Sequence, residues 1–356
     1  SYSPSCCDYE SRVIRMGLSL NINKEKWRAH IDAFNAKHPG LVPVIKGEGY
    51  GLGAARLAHE AIRIGSHTIA VGTPIEADEI RAVFDSDILI LAPWQSDQPR
   101  VPRAIHTISS IAAINSWHDQ APVVVEILTA TRRHGVSRSQ YGELSKLIGG
   151  LNCRGLAFHL PLNPTRSAHD MVSTEIENLF ESNIAAISFS HTIWVSHIPL
   201  RDLIALRSKY PAIVFLERVG TQLWLGDSST LTVTATVLDR HAVKNGDRIG
   251  YRQRRVRKNG WLLVVSGGTQ NGIGLESPPS DLSIIGRIKV IVKALLVIAS
   301  VERSPYSFNG KRLLFAEPPH MQCSLLLTNG ENVPAIGSEI DVKVRHTTTR
   351  FDSITE

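Results

Sequence analysis

Between Leu41 and Gly220 the chain repeats one pattern eight times: a short apolar run, often β-branched, separated from the next by a polar or amphipathic segment. The runs are LVPVI (41 to 45), TIAVG (68 to 72), DILILA (87 to 92), AIHTI (104 to 108), PVVVEI (122 to 127), GLAFHL (155 to 160), TIWVSH (192 to 197) and AIVFLERVG (212 to 220). Short apolar runs alternating with helical patterns such as ARLAHEAIRIG are what parallel strands covered by helices require. Eight of them predict an α/β barrel of the TIM-like (β/α)8 kind, whose chemistry collects at the C-terminal ends of the strands.

Beyond about Ser228 the pattern changes. LTVTATVLDRHAV, DRIGY, GWLLVVSGG, KRLLFAE, MQCSLLLT and SEIDVKVRH read as strands, separated by polar turns such as KNGD, RKNG and LTNGEN. A C-terminal all-β domain is expected. The division places residues 1–230 in the barrel, with 1–17 as an N-terminal extension, and 231–356 in the β domain. A chain of 356 residues accommodates one large domain of about 200 to 250 residues and a smaller one.

The formal charge of +6 is mild, and basic residues are scattered except in RQRRVRK, Arg252 to Lys258. Such a run marks nucleic-acid binding only within a larger basic face; it is read as a solvated hairpin end, and no nucleic-acid partner is expected. Cys6, Cys7, Cys153 and Cys323 have neither metal-ligand spacing nor disulfide density, so reduced thiols, a cytoplasmic location and no metal are expected. The first twenty residues hold Asp8, Glu10, Arg12 and Arg15 and lack a secretory apolar core. In IGRIKVIVKALLVIAS, Ile285 to Ser300, three cations interrupt what would otherwise approach a membrane span. A packed helix or strand pair is expected there, with a membrane-surface amphipathic helix as the alternative.

VIKGEGYGLG, Val44 to Gly53, follows the first barrel run with a lone lysine and four glycines at every second position. Lys46 is either a solvated strand end or, if poorly solvated at the catalytic mouth, an amine suited to a Schiff base. The glycines permit close backbone approach to a ligand, and Tyr50 offers a hydroxyl to a phosphate. The segment is neither a Walker loop nor GxGxxG.

In sequence order, IKGEGYGLG, AVGTPIEADEIRA, EILTATRRHGV, GLAFHL, LERVGTQLWLG and GDRIGYRQR resemble segments of the alanine racemase family, enzymes of fold type III that use pyridoxal 5'-phosphate. LSLNINKEKWRAHIDAFNAKHPG is similar to that family's opening strand and helix. The resemblance implies an isomerase that racemises an amino acid by two-base removal and return of the α-proton, with alanine or another small or polar amino acid as substrate. It implies Lys46 as cofactor anchor and one base, Tyr251 of a second subunit as the other, and His159 and Arg133 as catalytic partners. Tyr50, Ser196, Arg218, Gly220 and Thr221 are the implied cofactor contacts, Arg133 and Met321 the substrate contacts. Arg218 would face the pyridine nitrogen, and a homodimer sharing its active sites is expected.

Departures from the family pattern accompany the likeness. Glu126 stands where many members have a lysine and is expected to orient Arg133. Gln322 replaces an aspartate at the substrate entrance, Thr349 a late tyrosine near the phosphate, and Asn271 another aspartate. Residues at about 281–312 form an insertion. A regulatory or catalytically degenerate homologue that keeps the cofactor is the alternative reading, as is another fold type III enzyme such as a decarboxylase.

Overall fold

The computed structural model describes residues 17–182, 191–275, 303–329 and 332–356. Cys6, Cys7, the N-terminal extension up to residue 16 and the stretch 285–300 lie outside them. The described chain divides into two compact units: Glu25–Ser228, and a second holding residues up to Lys24 together with Ser229–Glu356.

The first unit is a closed parallel barrel of eight strands in sequence order. With β1 as Leu18–Ile22, its strands are β2 (Leu41–Ile45), β3 (Thr68–Val71), β4 (Asp87–Pro93), β5 (Ala104–Ile108), β6 (Val123–Ile127), β7 (Cys153–His159), β8 (Thr192–Ser196) and β9 (Val214–Val219). Closure is made by β2 pairing with β9, Leu41 opposite Glu217 and Val42 opposite Arg218. Each of the eight apolar runs supplies one strand.

Strand alternation gives the barrel two cores. Val42, Val44, Ala70, Leu89, Ile105, Val124, Ala157 and Trp194 fill the interior. Neighbours of opposite parity, among them Val123, Val125, Leu156, Phe158, Ile193 and Val195, pack outward with helical side chains such as Val172, Ile176, Leu203 and Leu206. The helix Pro74–Ile80 begins in a capping box, in which Thr73 accepts from the Glu76 backbone and Glu76 accepts from the Thr73 backbone.

In the second unit, the strands among the described residues are, after β1, β10 (Leu231–Val243), β11 (Arg248–Ile249), β12 (Arg254–Arg255), β13 (Gly260–Ser266), β14 (Arg303–Phe308), β15 (Lys311–Phe315), β16 (Cys323–Thr328), β17 (Glu339–Val342) and β18 (Ser353–Thr355). Eight form one sheet in the order β13-β16-β15-β14-β17-β10-β1-β18, and β11 pairs separately with β12. RQRRVRK begins in the turn of that small hairpin, with Arg252, Arg255, Arg257 and Lys258 exposed. Of the expected insertion, residues 303–312 are described; they form β14 and the start of β15, which pair as a hairpin.

The opening strand differs from expectation. LSLNI was assigned to the barrel side of the boundary, yet β1 pairs antiparallel with β10, Leu18 opposite Ala235 to Ile22 opposite Leu231, and parallel with β18. Its alternation explains why: Leu18, Leu20 and Ile22 are buried while Ser19 and Asn21 are not. That pattern fits a sheet with one covered face rather than a barrel strand buried on both.

Among the described residues no helix is long and apolar enough to cross a membrane, and no group of three or more His, Cys, Asp or Glu is placed to hold a metal ion. Cys153 and Cys323 are free thiols.

Candidate active site

The interior parity that packs the barrel also builds its mouth. Two residues beyond Val44, Ala70, Val124, Ala157, Trp194 and Leu216 come Lys46, Gly72, Glu126, His159, Ser196 and Arg218. A strand advances about 3.3 Å per residue with side chains alternating in face, so these six form the next layer at the C-terminal ends. All six line one cavity of about 1030 Å³, together with Tyr50, Arg133, His134, His197, Gly220 and Thr221.

Lys46 is followed by an unusual backbone. Gly47, Glu48, Gly49, Tyr50 and Gly51 all have positive φ, between 57° and 82°. Left-handed geometry is costly for residues with a Cβ, so the alternating glycines relieve three of five positions, leaving Glu48 and Tyr50 to carry the strain. Gly49 has a second constraint, since a Cβ there would lie 2.7 Å from the Ala54 nitrogen. The turn is tied down by Glu76, whose carboxylate accepts from Gly47 N (2.6 Å), Gly72 N (2.7 Å) and Thr73 N (2.9 Å).

The turn delivers a buried Tyr50 to Gly220. A Cβ on Gly220 would sit 1.9 Å from the Tyr50 hydroxyl, so only glycine lets the phenol reach this backbone. Burial, and secondarily Glu76, pushes the Tyr50 pKa up, keeping it a neutral hydroxyl. Gly220 and Thr221 open the short helix Thr221–Leu225, whose first N–H groups lack intrahelical acceptors.

Arg218 and Glu126 form a buried ion pair, Nη1 to Oε2 3.3 Å, and Arg218 Nη2 donates to Phe158 O at 3.2 Å. Arg218 Nε is buried with no protein partner. Glu126 was expected to orient Arg133. It instead meets Arg218, because both project into the barrel interior, whereas Arg133 comes from the loop after β6.

Arg133 turns to the other face of the site. Its Nη1 lies 3.3 Å from His159 Nε2. Burial, then the charges of Arg218, His197, Arg133 and Lys46, pushes the His159 pKa down to about 3. The neutral ring can therefore accept at Nε2 while Arg133 donates. Lys46 is also lowered, by desolvation first and then by Arg133, with Glu76 opposing.

Lys46, Tyr50, Arg133, His159, Ser196, Arg218, Gly220 and Thr221 thus converge on one barrel cavity, whereas Tyr251 and Met321 belong to the other unit and are exposed, 86 % and 70 %. Asn271 is buried in that same unit, accepting from Gly268 N and donating to Arg350 O and Asp352. Thr349 donates to Arg345 O there. Sequence reasoning missed His134, His197 and Glu76. His197, at φ 60° and with its ring centroid 5.0 Å from that of His159, follows Ser196 directly in a strand-end run, which was the available signal. Glu76 was visible only as the third helical residue after Thr73.

The family model described as "Alanine racemase, N-terminal domain" matches residues 22–191. The alanine racemase of Lawsonia intracellularis is 26 % identical over 177 residues, covering 46 % of this chain and 44 % of that protein. That of Campylobacter jejuni is 28 % identical over 223 residues, covering 59 % of this chain and 64 % of that protein. The aligned stretch spans less than two thirds of either relative.

Among solved structures, the alanine racemase from Bartonella henselae with covalently bound pyridoxal phosphate gives a TM-score of 0.70 at 16 % identity, over 96 % of this chain and 99 % of that one. The enzyme from D-cycloserine-producing Streptomyces lavendulae gives 0.68 at 18 %, over 92 % and 87 %. These likenesses concern the fold; the family match concerns the sequence of the barrel. Barrel, sheet unit and strand-end residues accord with these likenesses: residues 22–191 match the alanine racemase N-terminal family model, and the fold is the one seen in the solved alanine racemases.

Proposed function

We propose that this protein is a pyridoxal-phosphate-dependent amino-acid racemase, acting on alanine or another small or polar amino acid as a homodimer with shared active sites. The observation that carries this reading is the convergence of Lys46, Tyr50, Arg133, His159 and Arg218 on one cavity at the strand ends.

The residues present fit the cofactor. Lys46 offers an amine of lowered pKa to its aldehyde; the Tyr50 hydroxyl against Gly220, with Thr221 and Ser196, offers donors to its phosphate. Arg218 keeps a buried donor without a protein partner, and its permanently charged guanidinium would meet the ring nitrogen without taking a proton from it. When bound, pyridoxal phosphate delocalises the negative charge left as the α-proton departs.

The remaining work falls to the chain. Lys46 takes or returns the α-proton at Nζ on one face, its lowered pKa raising the neutral fraction at a given pH. Tyr251, from the partner subunit, serves the opposite face through its phenol oxygen. Arg133, fixed by the neutral His159, presents its guanidinium to the substrate carboxylate. Exposed Tyr251 and Met321 are suited to work outside their own unit.

Absorbance after adding pyridoxal phosphate tests the cofactor, and a visible band absent in Lys46→Ala supports it. Incubation with single amino acids in deuterated water then tests turnover through α-deuterium and product of inverted configuration. A cofactor-loaded protein inert across the panel would favour the regulatory or degenerate reading suggested by Gln322 and Thr349.

A further inference from the structure

Tyr251 is an exposed aromatic in the turn between β11 and β12, a setting in which a side chain ordinarily samples several rotamers. Here the turn is held from beneath. Glu317 is 4 % exposed, and its carboxylate lies under the backbone of Gly250: a Cβ on that glycine, at φ 69°, would fall 2.3 Å from the Glu317 carboxyl carbon. Its Oε1 accepts from Tyr251 N at 3.1 Å and its Oε2 from Arg252 N at 3.3 Å.

A third donor, His320 Nε2, lies 2.7 Å from Glu317 Oε1. The His320 ring is also a platform for the phenol, centroid to centroid 4.6 Å at 34°. His320 is fixed in turn, with its N donating to Cys323 O at 2.9 Å and its O accepting from Thr269 N at 2.8 Å. Arg254 closes the other side of the turn by donating to Ala316 O at 2.7 Å. A buried carboxylate with three donors is an expensive way to organise a solvent-facing tyrosine unless that tyrosine has a task.

We propose that Glu317 and His320 are positioning residues that hold Tyr251 in one orientation for proton transfer outside its own unit. Glu317 sets the backbone of the turn and His320 sets the plane of the ring; neither touches the substrate. This rests on the reading of Tyr251 as the second base. Organisation of this kind lets a base act without first losing the entropy of an unrestrained side chain.

The test uses the full-length cofactor-loaded protein and follows solvent-deuterium exchange into each enantiomer of the amino acid it turns over, before inversion accumulates. Glu317→Gln places an amide NH2 where one backbone N–H needs an acceptor, and His320→Leu removes the platform at a less buried site. Both variants should lose about tenfold or more of exchange from one enantiomer, while exchange from the other, served by Lys46, stays near wild type. Tryptic cleavage after Arg252, a readout independent of activity, should be faster in Glu317→Gln with the cofactor band unchanged.

Equal loss on both faces in His320→Leu would overturn the assignment by revealing general destabilisation. One-sided loss in Tyr251→Phe with wild-type exchange in Glu317→Gln and His320→Leu would overturn the positioning role alone. Wild-type exchange from both enantiomers in Tyr251→Phe would instead remove the second-base reading on which it rests.

Discussion

Arg218 Nη1 lies 3.3 Å from Glu126 Oε2 inside the barrel, and both residues are no more than 5 % exposed. Each compensates a charge the other would otherwise leave stranded. Removing one partner of such a pair costs about 3 to 5 kcal/mol. Glu126→Leu should therefore lower the urea midpoint sharply, and Glu126→Gln less so because the amide still accepts. Equilibrium unfolding of the three proteins checks this.

Glu76 collects three backbone N–H groups, one of them belonging to the residue after Lys46. Glu76→Ala removes the reciprocal cap and frees the left-handed turn, at a cost of about 1 to 3 kcal/mol. Its second consequence is specific: Lys46 is no longer held in register, so pyridoxal phosphate should bind more weakly, as measured by titrating the visible band.

Gly220→Ala places a methyl group on the Tyr50 hydroxyl. Overpacking of this kind costs about 1 to 3 kcal/mol, and displacement of the phenol should weaken cofactor binding more than it lowers the unfolding midpoint. Combining it with Tyr50→Phe should bring no additive loss of cofactor affinity, since both remove the same hydroxyl from the same place.

The His159 pKa falls to about 3 in the folded protein, against about 6.5 when unfolded. Between those values the unfolded chain binds the proton and the folded chain does not, so this site costs stability as pH falls from about 6.5 toward 3. His134 and His197 are shifted in the same direction, by burial first, and add to the loss. Stability measured against pH should decline less steeply through this window in His159→Gln than in wild type.

Much of this was legible because strand parity propagates. The runs containing Val44, Ala157, Trp194 and Leu216 announced buried strands, and stepping two residues from each reaches Lys46, His159, Ser196 and Arg218 without knowledge of tertiary structure. LSLNI was misassigned because chain order places it before the barrel, while its half-buried alternation answers to a strand more than two hundred residues later. The choice of Arg218 over Arg133 as the partner of Glu126 depends on which residues face inward across a closed barrel, a long-range relation that local pattern does not carry. Glu317 was invisible for the same reason: its meaning lies in the backbone of Tyr251 and Arg252, sixty-six and sixty-five positions away.

The most direct measurement of the central claim is α-proton exchange in deuterated water by wild type, Lys46→Ala and Tyr251→Phe, each titrated with pyridoxal phosphate and offered alanine and other small or polar amino acids as separate enantiomers. The two-base account predicts exchange with inversion in wild type, neither band nor exchange in Lys46→Ala, and exchange confined to one enantiomer without inversion in Tyr251→Phe. Inversion at the wild-type rate in Tyr251→Phe, or a cofactor band that survives in Lys46→Ala, would contradict it.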